Sequence, residues 1–135
     1  AGTRVRLLSG DLAMLHDLNS LPLLSGDEQS VELSILNNDG GGIFELLPIS
    51  SQEHIFEPFF GTPHGFRFEN AARQFGLEYH LCSNLSTLRE AWSSDSGGQS
   101  RIIEAVIDRA RSSETTREIA RKIESRLDCS KWSRA

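Results

Sequence analysis

Two short groups of residues carry side chains that suit cation binding, and each follows a predicted strand. Gly10 and Asp11 come after the predicted strand Arg4–Ser9, and Asn37–Gly42 (NNDGGG) follows the apolar end of Val31–Asn37. Mg²⁺ prefers near-octahedral oxygen ligands and takes one or two carboxylates, with phosphate oxygens filling other positions. The two groups therefore predict a Mg²⁺ site, with the Asp11 carboxylate, the Asn38 amide and a glycine-loop carbonyl as ligands.

Each group taken alone has a simpler interpretation. An aspartate after a strand is more often a helix cap, and Asn-Asp-Gly is a common turn signal. The glycines also let a backbone approach a ligand closely. Apolar residues follow the glycines at once, which a flexible turn does not explain: Ile43, Phe44, Leu46 and Leu47. Ile43 and Phe44 could line a pocket or belong to the ordinary core.

Predicted strands and helices alternate along the chain. The strands are Arg4–Ser9, Val31–Asn37, Leu77–Leu81 and Arg101–Ile107, and the helices are Leu12–Leu24, Glu69–Phe75, Asn84–Trp92 and Thr115–Leu127. This order is typical of an α/β fold of three layers, a parallel sheet with helices on both faces. Ligands of such sheets bind at the carboxyl ends of strands, which is where both groups lie. We expect residues 1–135 to form a single domain.

Local signals refine these elements. Pro22 is expected to end or kink the first helix. Thr115 and Glu118 fit a capping box at the start of the last helix, whose apolar face would be Ile119, Ile123 and Leu127. Asn38 to Arg67 reads as a long irregular stretch with three of the four prolines. Loops of this length in compact domains are usually functional.

Composition excludes several classes of protein. The chain has 135 residues, is 38% hydrophobic and 24% charged, and carries a net charge of −5. An acidic chain argues against nucleic-acid binding, which needs a basic face, and no apolar run is long enough to span a membrane. An acidic protein that binds a diphosphate needs a local cation or backbone N–H groups that point at the ligand. Cys82 and Cys129 have no metal-site spacing, and free thiols are favoured over a disulfide.

The two groups together resemble a known motif. Gly10-Asp11, with Asn38 lying 27 positions after Asp11, is similar to the thiamine-diphosphate (ThDP) motif of pyruvate decarboxylases, acetolactate synthases and their relatives. Many of those proteins have Gly-Asp-Gly, whereas Leu12 stands here after the aspartate. This departure weakens the match to the decarboxylases.

One branch of that family resembles a longer part of the chain than the metal-binding motif alone. Gly10–Asn19 (GDLAMLHDLN) and Leu36–Pro48 (LNNDGGGIFELLP) resemble the MenD family, the 2-succinyl-5-enolpyruvyl-6-hydroxy-3-cyclohexene-1-carboxylate synthases. Phe60–His64 (FGTPH), Phe68, Ala71-Ala72 and Gly76–Tyr79 continue the likeness, and Val106–Arg109 is a weaker echo. The resemblance extends from about Leu8 to His80. It implies the diphosphate-binding domain of such an enzyme, truncated at its amino-terminal side.

The resemblance implies roles for particular residues. Asp11, Asn38 and the backbone carbonyl of Gly40 would bind Mg²⁺, or Mn²⁺ in its place. The expected cofactor-binding residues of the chain are Gly10, Asp11, Leu12, Asn38, Gly40, Gly41, Ile43 and Phe44. Because the activating glutamate and the substrate arginines of the family lie in other parts of the enzyme, no catalytic residue is expected in this chain. The chain alone should therefore be inactive.

The resemblance also implies an activity for the full-length protein. That family decarboxylates 2-oxoglutarate on ThDP and adds the carbanion to isochorismate, in menaquinone or phylloquinone biosynthesis. It implies a homodimer or homotetramer, located in the bacterial cytoplasm or in the plastid of a plant or alga. The chain begins with Ala1 rather than methionine, and we expect it to be part of a longer protein.

Other interpretations stay open at this point. The protein could be another ThDP lyase, of the acetolactate synthase or 2-oxoacid decarboxylase type, or a non-catalytic module with the same fold. A different nucleotide binder is disfavoured because neither GxGxxG nor a P-loop occurs. His16 is expected to be structural, and catalysis by His64 is a minor alternative. Asp39 is expected to turn the chain rather than bind metal.

Overall fold

The sheet has four parallel strands. The structure is a computed structural model that describes residues 5–26 and 29–127. The strands are β1 (Val5–Gly10), β2 (Val31–Asn37), β3 (Glu78–Cys82) and β4 (Arg101–Val106). Their order in the sheet is β1-β2-β4-β3, and all three neighbouring pairs are parallel. The predicted α/β class and parallel sheet are confirmed.

Helices cover both faces of this sheet. They are α1 (Asp11–His16), α2 (Glu53–Phe56), α3 (Glu69–Gln74), α4 (Leu85–Ser93) and α5 (Arg109–Glu124). Segments of 3₁₀ helix span Leu18–Ser25, Gly42–Leu46 and Pro48–Ser51, and a π-helical turn spans Glu57–Gly61. The stretch that was predicted to be irregular is therefore largely a chain of short helical turns.

The two faces have separate cores because side chains alternate along each strand. On one face α1, α3 and the Leu18–Ser25 turn pack against the sheet, through Met14, Leu21, Leu33, Ile35, Phe68, Ala72, Leu77 and Ile102. On the other face Ala91 of α4 packs against Ile103 and Cys82. Ile102 and Ile103 thus point to opposite layers, as neighbours in a strand covered on both faces should.

The first helix was predicted to run without interruption over Leu12–Leu24, and this prediction is wrong. α1 ends at His16, and the chain continues as the 3₁₀ turn Leu18–Ser25, which contains Pro22. Proline has no backbone N–H to give to the carbonyl four residues earlier, and it disfavours α-helical geometry at the residue before it. An α-helix through this segment would therefore lose a hydrogen bond and gain a steric clash.

The last helix begins earlier than predicted. α5 begins at Arg109, and the N-cap is Asp108, whose side chain accepts a hydrogen bond from the N–H of Arg111. Thr115 lies inside the helix, so the capping box with Glu118 is wrong. The predicted apolar face is half exposed: 52% for Ile119, 51% for Ile123 and 56% for Leu127. Most of that face is therefore open to solvent in the part of the fold that the structure describes.

The remaining boundaries differ by one or two residues, as is usual for helix and strand ends. The third strand is Glu78–Cys82 rather than Leu77–Leu81, and the fourth ends at Val106 rather than Ile107. Cys82 is a buried free thiol, whereas Arg4 and Cys129 lie outside the described residues. No helix in residues 5–26 or 29–127 is both long and apolar enough to cross a membrane.

Candidate metal and cofactor site

The two groups of polar residues lie together at the carboxyl edge of the sheet. β1 and β2 are neighbours, with Gly10 opposite Leu36 in the register, so the loops that follow them emerge side by side. The Asp11 carboxylate bridges them, because its Oδ2 accepts the backbone N–H of Gly40 at 2.8 Å. Residues from both predicted groups therefore share one place in the fold.

Asp11 is a buried carboxylate, 3% exposed. It is the first residue of α1, whose N-cap is Gly10, so its main contacts are not those of a helix cap. Its Oδ1 accepts the N–H of Leu12 at 2.8 Å. A buried charge is costly unless it is paired or hydrogen-bonded. Here the hydrogen bonds connect Asp11 to Leu12 of α1, to Gly40 of the glycine run and to His64.

His64 is the third group at this carboxylate. Its Nε2 lies 3.0 Å from Asp11 Oδ2, and its side chain is only 8% exposed. The N–H of Phe66 donates to the Nδ1 of His64 at 2.9 Å, and the two rings stack with centroids 5.5 Å apart. Sequence reasoning gave His64 only a minor role, because a partner 53 positions away in the chain leaves no local signal.

Asp39 has the turn role that was expected of it. Its backbone is left-handed, with φ of 60°, a conformation that aspartate tolerates better than most residues. Its Oδ1 accepts the N–H groups of Gly65 at 2.7 Å and of His64 at 3.0 Å. The Gly65 bond lowers the pKa of the Asp39 carboxyl most, and the His64 bond adds to it, while burial opposes both. Asp39 thus ties the glycine run to the loop that carries His64.

Asn37 and Asn38 have different surroundings. Asn37 is 1% exposed, and its Nδ2 donates to Glu104 Oε1 at 2.7 Å and to the Phe66 carbonyl at 3.0 Å. Asn38 is half-buried, and its side-chain amide lies against Gly42, where an added Cβ would come within 2.3 Å of Nδ2. Asn37 therefore anchors the strand end, and Asn38 extends over the glycine turn.

Glu104 is a structural residue that the sequence did not single out. This carboxylate on β4 is fully buried and accepts hydrogen bonds from the Phe68 N–H and the Tyr79 hydroxyl, both at 2.8 Å. Together with Asn37, these donors come from three different parts of the fold. Glu104 thus fixes β2, β3 and the start of α3 relative to one another, and through Asn37 it contacts the residue before Asn38.

The glycine run is required by packing within the protein. A Cβ on Gly40, where φ is 117°, would lie 2.1 Å from the Gly61 carbonyl oxygen, and one on Gly41 would lie 2.0 Å from that of Phe60. The N–H of Gly41 also donates to the Gly61 carbonyl at 2.7 Å. Close approach was the correct reason for these glycines, although the approaching group in the structure is the 60–61 backbone.

The apolar residues after the glycines lie at the surface. Ile43 is 72% exposed and Phe44 is 39% exposed, so neither belongs to the core that the described residues form. Glu45 connects their turn to α5. Its carboxylate lies 2.9 Å from Arg109 Nε and accepts a hydrogen bond from the Ser113 hydroxyl at 2.7 Å. Arg117 donates to the Glu45 carbonyl. The three α5 residues are spaced one turn apart on a single helix face.

An open depression of about 400 Å³ lies beside this turn. Its lining includes Asn38, Asp39, Glu45, Glu57 and Arg109. A larger cleft of about 500 Å³ lies between α4 and α5 and is lined mainly by apolar and hydroxyl side chains, without Asp11 or Asn38. The smaller depression is the one that is lined by a predicted cation ligand, Asn38, so volume alone does not identify the site.

The donors present suit a hard divalent cation that arrives with an anionic ligand. The set is one buried carboxylate, one amide and the carbonyl of a left-handed glycine, and Mg²⁺ typically binds through one or two carboxylates plus phosphate oxygens. Within the described ranges, no three His, Cys, Asp or Glu side chains are placed so that they could hold a metal ion together. The residues therefore fit Mg²⁺ with a diphosphate, rather than a site made of protein side chains alone.

Sequence comparison relates the chain to one group of proteins. The 2-succinyl-5-enolpyruvyl-6-hydroxy-3-cyclohexene-1-carboxylate synthase of Rubrobacter xylanophilus is 48% identical over 122 residues, which is 90% of this chain. The enzyme of the same name from Salinibacter ruber is 44% identical over 125 residues, 92% of the chain. That of Lysinibacillus sphaericus is 36% identical over 121 residues.

The chain belongs to this family of synthases. It spans about a fifth of the length of these relatives, 21% and 20% for the first two. A comparison with protein-family models gives no match. Of the residues that the family resemblance singled out, the structure brings Asp11 and Gly40 into direct contact. Gly10 and Leu12 flank Asp11. Asn38 lies two positions before Gly40 and Gly41 follows it, and Ile43 and Phe44 belong to the exposed turn beyond.

Proposed function

We propose that this segment binds the diphosphate of ThDP through Mg²⁺, with Asp11, Asn38 and the Gly40 carbonyl as protein ligands. The observation that carries the proposal is the 2.8 Å hydrogen bond between Asp11 Oδ2 and the Gly40 N–H. It joins the residue that follows β1 to the glycine run that follows β2, which supports a single shared cation site. Gly10, Leu12 and Gly41 would form the backbone around the cofactor.

The protein as a whole is proposed to be a ThDP-dependent transferase of menaquinone or phylloquinone biosynthesis. It would decarboxylate 2-oxoglutarate and add the resulting carbanion to isochorismate. Support comes from the relatives, which are named as synthases of a succinyl-cyclohexene carboxylate. When bound, ThDP supplies the electron sink for the carbanion, while the protein binds and orients it.

The exposed turn after the glycine run supports a role at the edge of a pocket. Large apolar side chains at the surface need a reason when they cluster, and Ile43, Phe44, Leu46 and Leu47 are all at least 39% exposed. Apolar groups commonly line cofactor pockets. We therefore assign Ile43 and Phe44 to the wall that faces the cofactor and substrate, where they exclude water from the reacting atoms.

A partner subunit would complete this wall. β1 lies at one edge of the sheet with Leu7 52% and Leu8 62% exposed, and open apolar edges are usually covered in intact proteins. The proposed assembly is a homodimer or homotetramer. The activating glutamate and the substrate arginines would come from outside this segment.

The test uses the full-length protein with ThDP and Mg²⁺. We expect product from 2-oxoglutarate with isochorismate and none from pyruvate alone. Acetolactate or acetaldehyde formed from pyruvate would instead assign another ThDP lyase. Failure to bind ThDP at all would identify a non-catalytic module. Residues 1–135 expressed alone should give no turnover, and turnover by that piece would contradict the assignment of the catalytic groups to other segments.

A further inference from the structure

His64 is the residue beside the cation loops whose role neither the family resemblance nor the proposed function assigns. Its ring nitrogen Nε2 lies 3.0 Å from Asp11 Oδ2, and its side chain is 8% exposed. A buried imidazole in contact with a buried carboxylate is either a charge partner or a hydrogen-bond donor that orients it. The other ring nitrogen distinguishes between these two roles.

The hydrogen bonds of the ring fix its tautomer. The backbone N–H of Phe66 donates to Nδ1 at 2.9 Å. Nδ1 must therefore be the unprotonated acceptor, and in a neutral imidazole the other nitrogen then carries the hydrogen. His64 consequently donates from Nε2 to Asp11. Because the donor to Nδ1 is a backbone N–H, the loop itself sets the direction of the hydrogen bond to Asp11.

The loop also fixes where the ring lies. Asp39 Oδ1 accepts the backbone N–H groups of His64 and Gly65. Phe66 stacks on the imidazole with an interplanar angle of 13°. The ring is thus held by its own backbone, by the Asp39 carboxylate and by an aromatic neighbour, and its donor has little freedom to move away from Asp11.

These contacts leave Asp11 with a defined place for one further partner. A carboxylate has about four lone-pair positions on its two oxygens. Oδ2 accepts from Gly40 N–H and His64 Nε2–H, and Oδ1 accepts from Leu12 N–H. The position that these contacts leave open is on Oδ1. The donors from His64 and Gly40 therefore hold the carboxylate so that one oxygen is kept for a cation.

We propose that His64 is a positioning residue for Asp11: its Nε2–H occupies Oδ2 and so presents Oδ1 to Mg²⁺ for binding through one oxygen. This inference rests on the proposed function, since it concerns the same cation. Partners that orient a metal ligand typically contribute about 10- to 100-fold to metal affinity. The size of this effect makes the contribution of one hydrogen bond measurable.

Two substitutions whose side chains have equal length distinguish the effect of the hydrogen-bond donor from the effect of side-chain size. His64→Gln places an amide N–H donor at a reach similar to that of Nε2, and His64→Met has the same chain length without a donor. In the full-length protein, Mn²⁺ is titrated in the presence of ThDP and free Mn²⁺ is read by electron paramagnetic resonance. We expect His64→Met to weaken Mn²⁺ binding by about 10- to 100-fold, and His64→Gln to recover most of this loss.

A structural role alone would give a different pattern. The thermal unfolding midpoint is measured with EDTA and without ThDP, and Mn²⁺ affinity is then compared at a temperature where both variants are fully folded, so that stability lost with the donor is not counted as lost affinity. If His64→Met does not fold, His64→Asn replaces it, because its amide is one methylene too short to reach Asp11. Equal Mn²⁺ affinity in the Gln and Met variants, or in the Gln and Asn variants, would overturn the proposal.

Asp11→Asn, measured alongside, separates this inference from the proposed function. If Asp11→Asn loses Mn²⁺ binding while His64→Met binds like the wild type, the metal site stands and the positioning role is wrong. If Asp11→Asn also binds like the wild type, the cation assignment itself fails, and the role of His64 fails with it.

Discussion

Glu45 Oε1 lies 2.9 Å from Arg109 Nε, which joins the turn after the glycine run to the first turn of α5. The other oxygen of Glu45 accepts the Ser113 hydroxyl. Arg109 also pairs with Glu57, so one guanidinium holds the segments on both sides of the site. Hydrogen bonding to Glu57 raises the pKa of Arg109 above its ordinary value, against the effect of burial, and Glu45 adds to the rise. Arg109 therefore stays charged throughout the accessible pH range.

Replacing Glu45 tests this connection. Glu45→Gln keeps the size of the side chain but removes its charge, and hydrogen bonds to charged groups contribute about 1.5–3 kcal/mol. We expect a lower thermal unfolding midpoint and a raised KM for ThDP, because the turn bearing Ile43 and Phe44 loosens. Glu53→Gln, at an exposed position on α2, is the matched control. Indistinguishable behaviour of the two variants would show that the α5 contact has no positioning role.

The close packing of the glycine run gives a second prediction. A Cβ at Gly41 would come within 2.0 Å of the Phe60 carbonyl oxygen, and overpacking a tight site costs about 1–3 kcal/mol. Gly41→Ala should therefore lower the unfolding midpoint and weaken Mn²⁺ binding, since the backbone at Gly40 must move. Gly26→Ala, whose added Cβ would meet only an oxygen at 3.8 Å, should do neither. A Gly41→Ala protein with wild-type metal affinity would mean that the loop tolerates displacement.

Tyr79 provides a prediction about pH. Burial, followed by its hydrogen bond to Glu104, raises the pKa of the Tyr79 hydroxyl well above its ordinary value of 10.0. The folded state therefore keeps the proton while the unfolded state loses it above pH 10. At pH 7, Tyr79→Phe should cost about 1–3 kcal/mol, because it leaves the buried Glu104 with one donor fewer. This stability gap should hold up to about pH 9 and narrow above pH 10.

Thermal unfolding of the full-length protein and of Tyr79→Phe across this pH range provides the measurement. A gap that widens above pH 10 would mean that the hydroxyl ionises more readily in the folded state than in the unfolded state. Such a result would contradict the buried hydrogen bond to Glu104.

The sequence was most informative where local pattern and tertiary environment agree. β2 was predicted with its observed bounds, Val31–Asn37, because a buried strand is apolar and is bounded by turn residues. The meeting of the two loops was also predictable. Parallel strands end at the same edge of a sheet, so Asp11 and the glycine run lie near each other once β1 and β2 are neighbours, as the structure shows them to be.

The parts that were missed depend on contacts between distant residues. The first turns of α5 carry few apolar side chains, and they are held by Asp108 as cap and by Glu45, which lies 68 positions from Ser113. Glu104 reads as a surface residue within an apolar run until the fold brings Asn37, Phe68 and Tyr79 to it. The contact of His64 with Asp11 has the same origin. No periodicity in a single sequence carries such information.

The most direct test of the cation assignment compares two aspartates on the same stretch of chain. Asp11→Asn removes the only carboxylate among the proposed ligands, whereas Asp17→Asn makes the same charge change at an exposed position just after α1. Mn²⁺ affinity of the full-length protein with ThDP should fall in Asp11→Asn by at least the roughly 10- to 100-fold expected for an outer partner. It should be unchanged in Asp17→Asn. Wild-type affinity in Asp11→Asn, or equal losses in both variants, would contradict the account.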